Sequence, residues 1–273
     1  MKKIFKKLSI IIMTLTLITC SILFVSCGKK NSGGNSEGDN NGSQTETPAP
    51  EPVTVEVSTY HELKTAVKGD ADIVKLLNDI DIRSDSMNQK DFFLFERKLT
   101  LDLNGKKIYS TNNIYDEISN NKAMLEISEG ANVTITGGGQ VVANNGDAYA
   151  IQVTNGGKLK IESGEFVGNR QCISVVYGTV EIRGGKFSIQ EKKSPQMYDP
   201  GTELSGYGYL IDCMDANIAY CSIVVKGGEF INFNPQNNIA NGINTNYLVT
   251  GYKSTLLPES TETVKIFRVT INN

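Results

Sequence analysis

The chain is 273 residues long, with 27 basic and 30 acidic side chains, a formal net charge of −3 and one histidine. A balance this close to neutral supplies no basic field for nucleic acid, and one histidine without a CxxC pair argues against a zinc site and a histidine-dependent triad. Twenty-six glycines, no tryptophan and few stretches of helical period point to many short strands joined by tight turns.

The chain opens MKKIFKKLSIIIMTLTLITCSILFVSCGKK. A lysine-rich start, an apolar run from Leu8 to Val25 and a small residue before a cut site are the parts of an export signal. The run is nearly long enough to span a bilayer, so a retained helix is the rival. Phe24-Val25-Ser26-Cys27 resembles the lipobox of bacterial lipoproteins, although Phe24 stands where Leu, Val or Ile is usual. The resemblance implies that residues 1–26 are a signal peptide and that Cys27 is lipidated and becomes the mature N-terminus. Leu17-Ile18-Thr19-Cys20 is a second candidate, but apolar and small residues follow it instead of a polar tether. Residues 28–52, GKKNSGGNSEGDNNGSQTETPAPEP, hold no large apolar side chain and cannot offset ordering entropy. With Cys27 they form the expected disordered tether, 27–52, of roughly 25–30 Å. An extracytoplasmic protein on a bacterial cell membrane is the localisation this implies.

Residues 53–273 have the size of one all-β domain. It opens on STYHELKTAV, 58–67. Thr59 and Glu62 have capping-box spacing, with Ser58 an alternative N-cap, and Leu63, Ala66 and Val67 make a helical stripe. This reads as a short helix closing the first turn of the fold, with His61 at its surface. The strand segment ADIVKLLNDIDI follows. In KLTLDLNGKKI, 98–108, Leu99, Leu101 and Leu103 point inward ahead of a turn at Asn104-Gly105.

A phrase then recurs: GKLKIESGEF at 157–166, GTVEIRGGKF at 178–187 and CSIVVKGGEF at 221–230. Aligned on Gly164, Gly185 and Gly228, it brings Phe166, Phe187 and Phe230 into one column. Ile161, Ile182 and Val225 make a second column, and Leu159, Val180 and Ile223 a third. Strands alternate faces with period two, so these columns share one interior. Repeats of this length signal a solenoid of stacked parallel rungs. ANVTITGGGQV, 131–141, fits with one extra residue near Gly137–Gly139, read as a bulge. A second strand per rung is expected at MLEI (124–127), AIQV (150–153), CISV (172–175) and YLID (209–212). The fold class expected is an all-β, single-stranded right-handed parallel β-helix with a short N-terminal capping helix.

VSTYHELKTAV, DIVKLLNDIDI and KLTLDLNGKKI resemble the N-terminal region of bacterial surface proteins with the pectate-lyase-like right-handed β-helix. VVKGGEFINFNPQNN and TNYLVTGYKS are similar to their last rung and C-terminal cap. The resemblance implies a fold shared by polysaccharide lyases, hydrolases and adhesins, and fold alone does not carry activity.

The outward charges pair laterally, Lys160 with Glu181, Glu162 with Arg183 and Glu165 with Lys186, so they read as a solvated sheet face rather than as catalysts. The acids left over are Asp212 and Asp215 in LIDCMDAN. Two insertions, 188–208 and 232–247, interrupt the rungs, and long loops on a rigid scaffold often carry function. Tyr198, Tyr207, Tyr209, Tyr220 and Tyr247 lie in or beside them, and a tyrosine face suits a sugar or a protein partner. The candidate contacts are therefore Tyr198, Tyr207, Tyr209, Tyr247, Asp212 and Asp215. No catalytic set, no metal site and no cofactor is expected. Expected partners are the membrane, through the lipid, and a glycan or envelope component, with the protein a monomer. The expected function is binding or adhesion without turnover; alternatives are a polysaccharide lyase or glycoside hydrolase, and a purely structural envelope protein. Of the three cysteines beyond the leader, Cys172 belongs to a strand, and Cys213 and Cys221 flank a short connection that a disulfide could bridge within about 7 Å between Cα atoms.

Overall fold

Strands of this chain are short, but each finds its partner about one repeat away, and the result is three long sheets. The computed structural model describes residues 50–82, 92–111, 123–143, 148–169, 171–190 and 210–272. Strands are numbered in chain order. The first sheet runs β1 (Thr54–Val57), β2 (Ile73–Leu76), β5 (Lys98–Asp102), β8 (Asn132–Thr136), β11 (Gly157–Ile161), β14 (Gly178–Ile182) and β17 (Cys221–Val225). The second runs β4 (Phe93–Phe95), β7 (Ala123–Ile127), β10 (Tyr149–Val153), β13 (Ile173–Val175) and β16 (Ile211–Cys213). The third runs β3 (Ile80–Asp81), β6 (Lys107–Tyr109), β9 (Gln140–Val142), β12 (Glu165–Gly168), β15 (Lys186–Ile189) and β18 (Gly228–Ile231). These pairings are all parallel. The third sheet then ends in two antiparallel strands, β20 (Ile266–Ile271) on β18 and β19 (Tyr252–Leu256) on β20. The fold is mostly β, built of long parallel sheets that are compatible with a parallel solenoid.

The register follows the repeat. Gly157 pairs with Gly178 and Gly178 with Cys221, so Leu159, Val180 and Ile223 align, as do Ile161, Ile182 and Val225. Phe166, Phe187 and Phe230 align in the third sheet and are fully buried. Their rings stack at 5.3 and 5.0 Å between centroids, within 12° of parallel.

The glycine two positions before each phenylalanine has a positive φ: 124° at Gly164, 100° at Gly185 and 105° at Gly228. A Cβ at Gly185 would lie 2.9 Å from the Gly164 carbonyl oxygen and 3.3 Å from the Phe187 ring. The glycine thus turns the corner and leaves room for the ring that follows it. This explains why the phrase keeps both residues together.

The extra residue near Gly137–Gly139 is not a bulge. Ile135 and Gln140 hold the same register as Ile161 and Glu165, so the added residue sits in the corner between two paired strands. The corner from Leu101 to Lys107 is one residue longer again, with Asn104 and Gly105 both at positive φ. Leu99, Leu101 and Leu103 are buried ahead of it.

The outward charges pair somewhat differently from a simple ladder. Lys186 meets Glu165 at 3.9 Å and Arg183 meets Glu162 at 3.7 Å, both as expected. Lys160 lies opposite Glu181 in register but reaches Glu162, just past the end of its own strand, at 3.1 Å. Glu181 instead takes Lys226 at 2.7 Å and Arg183 at 2.8 Å, and these bonds hold its carboxyl below the usual range. Long side chains choose the nearest opposite charge, along the strand as readily as across it. Each exposed pair contributes about 0–1 kcal/mol.

Helix α1 spans Tyr60–Ala66. Thr59 is its N-cap: its hydroxyl accepts from the Glu62 amide at 3.2 Å, while Glu62 accepts from the amides of Thr59 and Ser58. Leu63 and Ala66 are buried and His61 is exposed. The carbonyls left over at the other end are taken by Arg97, which donates to Ala66 at 2.9 Å and Val67 at 3.0 Å. Thr59→Ala should lower stability by about 1 kcal/mol, read as a shift in the urea midpoint; an unchanged midpoint would mean that the cap contributes nothing. No helix among the described residues is long and apolar enough to cross a membrane.

Candidate functional site

Beyond Leu94 on β4, one outward column of the second sheet is polar where the inner face is apolar. Ile127, Val153, Val175 and Cys213 align on the inside. One position earlier on each strand, Glu126, Gln152, Ser174 and Asp212 align on the outside, one residue from each of four successive strands. Neighbouring strands are about 4.8 Å apart, so the column is roughly 14 Å long.

The middle of the column is unusual. Gln152 is 7% exposed and Ser174 8% exposed, and among the described residues neither side chain has a hydrogen-bond partner. The ends are occupied. Glu126 accepts from the Thr154 hydroxyl at 2.9 Å. Asp212 accepts from Gln171 at 3.3 Å and from Asn241 at 3.1 Å. Asn241 donates in addition to the Cys213 carbonyl at 3.1 Å and accepts from the Tyr247 hydroxyl.

Burial, with the charge of Asp215 nearby, pushes the Asp212 carboxyl up to about 7. The two amide donors oppose this shift but do not overcome it. Asp212 can therefore hold a proton near neutral pH. Asp215 is exposed and begins a 3-10 helix, Asp215–Tyr220, in which no residue is buried.

Beside this helix the surface is apolar and aromatic. Tyr177 is 46% exposed and Tyr220 65%, and their rings meet edge to face at 5.7 Å. Tyr177 also lies over Gly156, where an added Cβ would come within 3.7 Å of the ring. Met214 and Ile218 are exposed on the same turn. The ledge thus spans the corners of three successive rungs.

The structure redistributes the residues singled out in the sequence. Asp212 and Asp215 come together. Tyr247 is not a surface contact: it is 7% exposed, its ring stacks on Phe233 at 6.3 Å, and its hydroxyl is spent on Asn241. The 232–247 segment around it is fixed to the fold at Phe233 and Asn238, while its tip, 242–244, is exposed. Asn238, fully buried, ties it by bonds to the carbonyls of Asn234 and Thr245 and to the Ala240 amide. Cys27, Tyr198, Tyr207 and Tyr209 lie outside the described residues, as does the 188–208 insertion beyond Gln190.

Gln171, Gln152, Ser174, Glu126, Asn241 and Tyr177 went unmarked in the sequence. A signal for the column was present: aligning EI, QV, SV and DC in the second strands gives Glu126, Gln152, Ser174 and Asp212 directly. Nothing local marked Gln171 or Asn241, which reach Asp212 from 41 and 29 residues away.

Cys172 is fully buried and its thiol lies 3.2 Å from the Phe166 carbonyl; burial pushes its pKa upward. Cys172, Cys213 and Cys221 are free thiols. Among the described residues no group of three His, Cys, Asp or Glu side chains is placed to hold a metal ion. Comparison of the chain with family models, with curated proteins and with solved structures returns no match.

Proposed function

We propose that this chain is a lipid-anchored surface protein of a bacterial envelope that holds a linear, hydroxyl-rich glycan along the Glu126–Gln152–Ser174–Asp212 column and does not turn it over. The observation that carries the reading is the pair Gln152 and Ser174, more than nine-tenths buried without a protein partner. Neither the amide nor the hydroxyl is among the fully enclosed side-chain groups of the described residues that lack a hydrogen bond, so both keep a small accessible face that a ligand supplying donors and acceptors at each rung can reach. The exposed Tyr177–Tyr220 ledge adds flat faces on which sugar rings pack. The sequence-based contacts Tyr198, Tyr207 and Tyr209 remain part of this reading.

The domain behind the site is, in this reading, a single-stranded right-handed β-helix of the pectate-lyase-like kind. Parallel crossovers are right-handed in nearly all known cases. Helix α1 is its cap, an assignment supported by the buried Leu63 and Ala66 and by Arg97 at the helix C-terminus. Residues 1–26 are the signal peptide, lipidated Cys27 is the anchor, 28–52 complete the tether, and the protein acts as a monomer outside the cytoplasm.

One observation favours turnover instead. A carboxyl held near pKa 7 beside a second acid is suited to donate a proton to a glycosidic oxygen. A glycan array with the detergent-solubilised full chain, run beside assays for reducing ends and unsaturated uronates, separates the readings. Binding without product, weakened about tenfold by Gln152→Ala, is the expected result. Product release abolished by Asp212→Ala would establish an enzyme, and no glycan binding at all would favour the structural class. Cys27→Ala should move the protein out of the membrane fraction; a mutant retained and processed normally would overturn the anchor.

A further inference from the structure

We propose that Cys213 and Cys221 are a disulfide-forming pair that locks the exposed 3-10 turn between them. Cys213 ends β16 opposite Val175, and Cys221 opens β17 opposite Gly178. The Cys221 thiol lies 3.4 Å from the Val175 carbonyl, the backbone group of the very residue that Cys213 pairs with. Besides burial, the charge of the Cys221 thiol bears on Cys213 and raises its pKa. The segment between them, Met214 to Tyr220, has no buried residue and rests on the fold through its two ends and the edge-to-face contact of Tyr220 with Tyr177. This pairing stands independently of the glycan reading.

The chemistry has a defined order. Cys221 is the more accessible thiol and Cys213 is 5% exposed. Burial raises both thiols, and the charge of Cys221 raises Cys213 further. Cys221 therefore loses its proton first and attacks one sulfur of a small disulfide such as oxidised glutathione. A Cys221–glutathione bond forms, the glutathione S–S bond breaks, and one glutathione leaves as thiolate and takes up a proton. Cys213 then loses its proton and attacks the Cys221 sulfur, displacing the second glutathione as thiol. Two cysteine thiols are oxidised and one glutathione disulfide is reduced, with no other reactant.

Trypsin places both residues in one peptide, 194–226, and Cys172 in another, 171–183. The full chain is treated with oxidised glutathione, alkylated with iodoacetamide in denaturant and mapped by mass. The expected result is a 194–226 peptide two hydrogens lighter than the reduced form and free of label, while Cys172 is alkylated. Prior reduction restores two labels to 194–226. Cys213→Ser should leave Cys221 carrying glutathione, the intermediate that cannot close. Two labels on 194–226 after oxidation, or a stable glutathione adduct in the unaltered protein, would overturn the pairing, as would a bridge from either residue to Cys172.

Discussion

Phe187→Ala is expected to lower the unfolding free energy by about 3–5 kcal/mol. Phe187 is fully buried between two other rings, Phe166 at 5.3 Å and Phe230 at 5.0 Å. Truncation removes the ring's own transfer free energy and both ring contacts, the latter worth about 0.5–1.5 kcal/mol each. The cavity left behind cannot close easily. Its walls are strands fixed by their own ladders, β12 on one side and β18 on the other. Phe187→Leu, which keeps much of the volume, should cost clearly less. Urea unfolding of the two variants measures this, and equal, small shifts for both would mean that the column is not the packing core described above.

Asp212→Asn is expected to stabilise the protein at pH 8 and to lose that advantage at pH 5. Asp212 has a folded-state pKa of about 7 against an ordinary carboxyl value of 3.8. Between those values the folded chain keeps a proton that the unfolded chain has released. The carboxyl's contribution is therefore fully present below about pH 4 and declines as pH rises through 7. Above that, the folded state carries a half-buried charge that the unfolded state solvates freely. Asparagine removes the charge at every pH. It also turns an amide NH2 toward Gln171 or Asn241, both of which are donors here, at a cost of about 1 kcal/mol. The distance from 3.8 to about 7 corresponds to about 4 kcal/mol at about 1.4 kcal/mol per pH unit, so the net gain at pH 8 should be about 3 kcal/mol. Urea midpoints of both proteins from pH 4.5 to 8.5 test it. A variant destabilised to the same degree across that range would show that Asp212 is an ordinary ionised carboxylate.

Those two residues mark what the sequence made legible and what it did not. The phenylalanine column could be read because it is periodic: equal spacing, equal neighbours and one glycine in a fixed place. Period-two alternation then assigned the inner columns of β11, β14 and β17 correctly. The capping box of α1 was legible for the same reason, since its chemistry lies within four residues. The site was legible only in part. Asp212 stood out as an acid without a lateral partner, but its setting comes from Gln171 and Asn241, which no local rule connects to it. Tyr247 looked like a surface ring because it sits in a polar, asparagine-rich stretch. The buried Asn238 folds that stretch back on itself and carries the tyrosine inward onto Phe233. Composition reports the average exposure of a segment, and a single buried clamp can reverse it for one residue.

The corners between the first and third sheets differ in length while the strands on either side keep one register. Such a protein can change by copying. The 21 residues from Gly157 to Gly178 return every backbone group to its own column, so a tandem duplication of that segment would add about 4.8 Å of height and present the same apolar floor to the neighbours above and below. Length, and with it the number of positions on the outer face, can then drift in a lineage by whole steps, while stability is conserved within each step. Outward residues on the second sheet are free to diversify because the stacked Phe166, Phe187 and Phe230 lie on the third.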